Sequence, residues 1–365
     1  MSARFSPQPV YQHGQAPLTA ILYCNLGTPD SPSTADVRRF LAEFLSDPRV
    51  VEIPRLLWLM ILHGVILRLR PARSAAKYAS IWTPEGSPLK VWTEKQSKLL
   101  QGWLAERGHQ VQVRYAMRYG TASIASQLTA LHQLGATRIL ILPAYPQYSA
   151  TTTASLFDAV YAWAAKTRRL PELRFVNHYH DNTAYIEALA GKVGKHWRDH
   201  GQPDVLLMSF HGVPERTLHL GDPYHCECFK TARLLAETLS LSPEQYKVSF
   251  QSRLGRAKWL GPYTDATLQQ MGKQGVGRVD VVCPAFTSDC LETLEEINME
   301  ARETFLHAGG KAFHYIDCLN DEPQFISALG ELAQAHMQGW PTQGSAEAAE
   351  CQAARERALS QGAKQ

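Results

Sequence analysis

Short apolar runs alternate with longer amphipathic stretches along the chain. Leu18 to Asn25 (LTAILYCN) reads as a first buried strand, stopped by Gly27-Thr28-Pro29. A helical segment is predicted from about Ser33 to Leu45, capped by Ser33 or Thr34 ahead of Asp36. Val111 to Ala116, Arg138 to Pro143 and Leu173 to Asn177 supply further strands with helical spacers between them. Later strands are expected at Val205 to Phe210, Tyr246 to Gln251, Val279 to Cys283 and Ala312 to Ile316. Repeated strand–helix alternation is the signature of an α/β fold on a parallel sheet. Leu56 to Leu67 (LLWLMILHGVIL) is the most apolar stretch, flanked by Arg55, Arg68 and Arg70. It is too short to span a bilayer. It is either a core helix or an apolar lip beside a ligand cleft that touches a membrane surface.

The two halves resemble each other. "CNLGTP" at 24–29 matches "SFHGVP" at 209–214 in form, "YAMRYG" at 115–120 matches "FQSRLG" at 250–255, and "RILILPAY" matches "RVDVVCPAF" with one inserted residue. The order is kept, which implies two similar α/β domains from a duplication. The expected division is a flexible N-terminus at 1–17, one domain over 18–178, a second over 179–340, and a loose or frayed tail at 341–365. The linker falls near His178 to Ala184.

Composition narrows the function classes. The 365 residues are 45% hydrophobic and 19% charged, as in an ordinary globular protein. A net charge of +3 gives no reason to expect nucleic acid. Seven scattered cysteines, an odd number, favour reduced thiols in the cytoplasm over a disulfide framework. The N-terminus reads as neither a secretory signal nor a transit peptide.

The differences between the halves carry the chemistry. Leu26 in the first corresponds to His211 in the second, an imidazole at the C-terminal mouth of a core strand, where open α/β sheets bind ligands. It is either a structural histidine or a functional one. Past the third strand of each half, the first has Ala and Thr where the second has Asp289, Glu292 and Glu296. Thr287 or Ser288 reads as a helix cap there. At 100° per residue the three acids share one helix face. They are either solvated dipole complement or a carboxylate ladder facing His211. One imidazole with carboxylates suits a borderline divalent ion such as Fe(II), held in an open site. No GxGxxG or Walker lysine motif is present, which argues against a nucleotide cofactor. His225-Cys226-Glu227-Cys228 offers only two thiolates and reads as an exposed helix start with reduced cysteines.

"SFHGVPERTLHLGDPY" closely resembles the signature of the ferrochelatases, which insert ferrous iron into protoporphyrin IX to make haem. The resemblance extends through "NLGTP", "GSPLKVWT", "AMRYG", "LPAYPQYSATTTAS", "FQSRLGRAKWLGP" and "PAFTSDCLETLEEI". It implies two Rossmann-like domains with an active-site cleft between them. It implies that His211 and Glu292 bind or handle the iron, that Asp289 and Glu296 extend an acidic path, and that Tyr224 lies near the centre. By motif match the porphyrin-cleft residues are Asn25, Leu26, Tyr78, Ser87, Arg118, Tyr119 and Trp259. Arg118 suits a propionate through a charge-assisted contact. Members with a 2Fe-2S cluster carry a cysteine where this chain has Ala150 and three more in a C-terminal extension, where this chain has Cys351. A cluster of that type is therefore not expected. Rival readings are a cobalt or nickel chelatase of another tetrapyrrole, or a non-catalytic haem or metal carrier.

Overall fold

The computed structural model describes residues 5–7, 9–253, 255, 257–343 and 348–364. The first half runs β1 (Leu18–Gly27), α1 (Thr34–Leu45), α2 (Arg55–Ile61), a π-helical turn (Leu62–Ile66), α3 (Leu67–Ile81), α4 (Pro88–Glu106), β2 (Val111–Tyr119) and α5 (Ile124–Gln133). It continues through β3 (Ala136–Pro143), a second π-helical turn (Ala150–Ala154), α6 (Ser155–Ala164) and β4 (Glu172–Phe175). The second half runs α7 (Thr183–His200), β5 (Val205–His211), α8 (Arg216–His219), α9 (Tyr224–Thr238), β6 (Tyr246–Gln251), α10 (Thr264–Lys273) and β7 (Arg278–Val282). Then come a π-helix (Glu292–Ala301), α11 (Arg302–His307), β8 (Ala312–Tyr315), α12 (Pro323–His336) and α13 (Ala348–Ser360).

Each half builds one four-stranded parallel sheet, ordered β2-β1-β3-β4 and β6-β5-β7-β8. The internal repeat is therefore a repeat of topology, down to a π-helical segment after the third strand of each sheet. β1 alternates cleanly in spite of its continuous apolar reading. Ala20, Leu22 and Cys24 pack with Leu128, Leu131 and Leu156 from α5 and α6 on one face. Ile21 and Tyr23 point to the other face and meet Leu100 and Leu104 of α4.

That second face is shared. The cluster around Ile21 and Tyr23 continues through α7 and α12 to Leu206, Met208 and Phe210 of β5 and Leu235 of α9. α12, from the far end of the chain, packs on α4 and β3 of the first half. One core thus crosses the boundary expected near His178 to Ala184. Buried Gln96 of α4 reinforces it, donating to the carbonyls of Thr287 and Asn320 at 2.9 and 2.8 Å and accepting from Tyr23 and Ser288.

Three strands run past their expected ends, β5 by the one residue His211, which pairs with Gln251. β1 reaches Gly27 and β2 reaches Tyr119, because these two residues are still paired in register. Leu56 to Leu67 is not one helix; α2 gives way to the π-helical turn before α3. Trp58 and Leu62 are buried against Leu41, Leu45 and Tyr78, whereas Leu56, Leu57, Met60, Ile61, Val65 and Leu69 stay exposed. Past Trp340 the chain is tied down by Thr19 on the Pro341 carbonyl and Gln110 on that of Thr342 before α13 forms. Met1 to Arg4 and Gln8 of the expected flexible N-terminus lie outside the described residues.

Candidate active site

All strands of a parallel sheet end at the same edge, and ligands collect there. His211 is the last residue of β5. Gly212 follows it because nothing larger fits: a Cβ there would stand 2.7 Å from the Gln251 carbonyl oxygen and 3.2 Å from the Trp259 ring. Gly27 is its counterpart in the first half, with φ of 115° and 1.9 Å between a built Cβ and the Tyr119 carbonyl oxygen. The imidazole is oriented twice over. Its backbone carbonyl accepts from the Tyr224 hydroxyl at 2.9 Å, and Nδ1 lies 2.6 Å from the Gly212 carbonyl oxygen. A carbonyl only accepts, so Nδ1 carries a hydrogen, and Nε2 is the nitrogen that holds the lone pair when the ring is neutral.

The acids divide into two groups. Glu292 opens the π-helix, and its carbonyl accepts from Gln251 at 2.8 Å. Glu296 lies four residues on, with one oxygen accepting from the Ser252 amide at 2.6 Å and the other from the Ser252 hydroxyl at 2.5 Å. Burial raises the Glu296 carboxyl above its usual range; the Ser252 hydroxyl and the charge of His211 pull the other way, and Glu292 adds to the rise. His211, Glu292 and Glu296 therefore sit within electrostatic reach of one another. Asp289 does not join them on a helix face. The helix starts after it, and its carboxylate is a buried anchor that accepts from Tyr315 at 2.5 Å, Asn320 at 2.6 Å and Thr293 at 3.1 Å. The expected cap is also absent: Ser288 donates to Gln96 and Thr287 to the Ala144 carbonyl, so both hydroxyls hold the halves together. Cys290 is buried, which pushes its thiol well up.

The remaining candidates line the facing edge of the first half. Leu26, where the twin has His211, packs at the border of the cluster formed by α1, α2 and α3, as does Leu291 from the other side. Asn25 is buried, donating to Thr93 at 2.9 Å and accepting from the Leu26 amide. Ser87, at the start of α4, accepts from Thr28 at 2.8 Å. Tyr78 on α3 is buried edge-on to Phe40 and Trp82, and its phenol is raised by burial and by the neighbouring Glu292. Trp259 bridges to Pro214, and its indole nitrogen is buried without a hydrogen-bond partner among the described residues.

Arg118 is not left open for a propionate. Its Nε donates to the Ser155 carbonyl and hydroxyl at 2.9 and 2.8 Å, and Nη2 meets Asp47 at 2.5 Å. The Tyr119 hydroxyl joins the same Asp47 at 2.9 Å. Burial works to raise the Asp47 carboxyl, but Ser155, the Arg49 amide, Tyr119 and the Arg118 charge outweigh it and hold it low. Asp47 gave no signal in the sequence, since it lies in an unremarkable loop. Nor did Lys77, which pairs with Glu295 and Glu300 at 3.0 and 2.7 Å and ties α3 to the π-helix. Ser252 carried a faint signal through its place in the repeated "FQSRLG" block, and Asp222 through "GDPY"; Asp222 accepts from the amides of Ala150 and Tyr224 at 2.8 and 3.0 Å.

The description Ferrochelatase is carried by the family profile that matches residues 18–337. A ferrochelatase of Polaromonas sp. is 66% identical over 98% of this chain and 99% of its own length. One of Methylibium petroleiphilum is 67% identical over 99% of each chain. Among solved structures, SirB from Bacillus subtilis with Fe3+ superposes with a TM-score of 0.50 at 15% identity, covering 87% of this chain and 96% of its own. At that identity the likeness concerns the fold alone.

Proposed function

Because this chain belongs to the ferrochelatase family, whose lyase reaction inserts iron into a porphyrin to form haem, we propose that His211 and Glu292 carry that chemistry here on Fe(II) and protoporphyrin IX. The observation that carries this assignment is the orientation of His211: Nδ1 is engaged by the Gly212 carbonyl, and Nε2 has no hydrogen-bond partner among the described residues. Metallation removes two pyrrole protons; the Nε2 lone pair of His211 accepts one at a time, so the first must be handed on to a neighbouring carboxylate or to water before the second is taken. Glu292, whose charge is felt by Tyr78 of the opposing wall, would meet the metal or pass protons on. Glu296, raised by burial, holds a proton more readily than a solvated glutamate and extends that route. Asp289 and Tyr224 act on position: one anchors the approach to the π-helix, the other holds the His211 carbonyl.

Leu26, Tyr78 and Trp259 offer apolar and aromatic surface to a flat macrocycle, with Asn25 and Ser87 behind them. Tyr119 and Arg118 act through Asp47 as a rigid wall rather than as a free cationic clamp. A planar porphyrin hides its nitrogen lone pairs, and contacts remote from the metal would bend it to expose them. The exposed face of α2 and the π-helical turn, with Arg55, Arg68 and Arg70 beside it, fits a lip that meets the hydrophobic substrate or a membrane surface. Among the described residues no helix is long and apolar enough to cross a membrane. The free, mostly buried cysteines support a reducing cytoplasm, and Ala150 supports the absence of a 2Fe-2S cluster.

Anaerobic incubation with Fe(II) and protoporphyrin IX should produce the absorption spectrum of haem. Binding of porphyrin without metallation would leave a carrier, and turnover restricted to cobalt or nickel would leave another chelatase.

A further inference from the structure

The junction between the halves holds a second group of metal-ligating side chains, and nothing in the iron chemistry uses it. His178 and His180 follow β4, and Glu227 sits in the first turn of α9. Glu227 presents one oxygen to each imidazole: Oε1 is 2.6 Å from His178 Nδ1, and Oε2 is 3.3 Å from His180 Nδ1. One ligand atom from each residue lies within 4.8 Å of the others. Donors that share a zinc-like ion at about 2.0–2.2 Å stand roughly 3–4 Å apart, so a small turn of the exposed His178 closes the set.

Two observations point to a ligand. His180 and Glu227 are both 94% buried, each at 6% exposure. His180 Nδ1 has no hydrogen-bond partner among the described residues, since its 3.3 Å approach to Glu227 lacks hydrogen-bond geometry. A buried imidazole nitrogen left without a partner beside a buried carboxylate is a donor set waiting for a shared cation. The carboxylate is already steered, because Oε2 also accepts from the Tyr148 amide at 2.7 Å. The cysteines on either side are not part of it: Cys226 is exposed and Cys228 is buried in the shared core. Among the described residues the other cluster of this kind, His196, Asp280 and His314, is less suited, because the Arg278 guanidinium engages both Asp280 oxygens at 2.9 Å and would face the ion.

We propose that His178, His180 and Glu227 form a second divalent-metal site, separate from the cleft, that takes a zinc-class ion. Two imidazoles and one carboxylate are a set that zinc and cobalt accept with one coordination position left for water. The ion would join the end of the first half to α9, whose opening residue Tyr224 holds His211. This site stands independently of the roles assigned in the cleft.

The test uses the full chain carrying His211→Ala and Glu292→Gln, stripped with a chelator and titrated with Co(II), read by visible absorption and calorimetry. One equivalent should bind, and Zn(II) should displace it. Adding His178→Ala should weaken Co(II) binding at least tenfold while the far-UV circular dichroism of the metal-free protein stays that of the parent. In the otherwise unaltered chain, His178→Ala should remove one equivalent of bound cobalt and reduce the rise in melting temperature caused by Zn(II). The proposal is overturned if the cleft variant binds no cobalt, or if His178→Ala leaves affinity and stoichiometry unchanged.

Discussion

A histidine at the end of a buried strand serves a reaction only when its ring is both aimed and left with a free lone pair. His211 meets the first condition through the Tyr224 hydroxyl on its carbonyl and the second through the Gly212 carbonyl on Nδ1. His211→Ala should therefore lower iron insertion by ~10²-fold or more, the scale for losing a general base, while circular dichroism and melting temperature stay near those of the parent. Near-normal turnover would remove His211 from the mechanism. Asp47 offers a test in pH. Its folded carboxyl is held below the usual range, so it stabilises the folded state above the unfolded pKa of about 3.9 and loses that contribution as pH falls through the folded value. Asp47→Asn should melt at a lower temperature than the parent at neutral pH, and the gap should shrink below pH ~4. A gap independent of pH would mean that the Arg118 and Tyr119 contacts act without the charge.

At the scale of elements, the proposed lip departs from a core helix in its exposure. Leu56 and Met60 are 81% and 67% exposed on the same helix that buries Trp58 and leads to Leu62, which is fully buried. Leu56→Glu with Met60→Glu should raise the apparent KM for porphyrin or weaken binding to anionic liposomes, with little change in melting temperature. Leu62→Ala should instead cost about 2–5 kcal/mol of stability, as for a buried leucine, measured by denaturant unfolding. If the two surface glutamates unfold the protein, the outward face is packed in solution and the lip has no free surface. π-helical bonding recurs at the lip turn and after the third strand of each sheet. Such segments often mark functional positions because they shift side chains out of α-helical phase.

At the scale of the molecule, the two sheets share one core, so the halves should not unfold separately. Gln96 is the sharpest probe of that join, since both its carboxamide ends are spent on four buried partners, three of them in the second half. Gln96→Leu leaves those partners without it, at about 1–3 kcal/mol for each group left unsatisfied. Calorimetry should record one transition, shifted down as a whole; two resolved transitions would mean the halves are independent.

The strands, their alternation with helices and the internal repeat were legible from apolar periodicity, because a buried parallel strand requires a run of apolar residues bounded by turn residues. His211, Glu292 and Glu296 were legible for another reason: they break the repeat, and a chemical group where the twin half has Leu or Thr stands out in one dimension. Asp289 was misplaced because a 100° step assumes a helix already begun, and where it begins depended on Asn320, Tyr315 and Gln96, all distant in sequence. The engagement of Arg118 by Asp47, the single core shared across the linker and the convergence of His178 and His180 on Glu227 were likewise decided by tertiary structure alone. Each joins residues tens to hundreds of positions apart, and no local pattern of hydrophobic and polar positions records which distant group a side chain will meet.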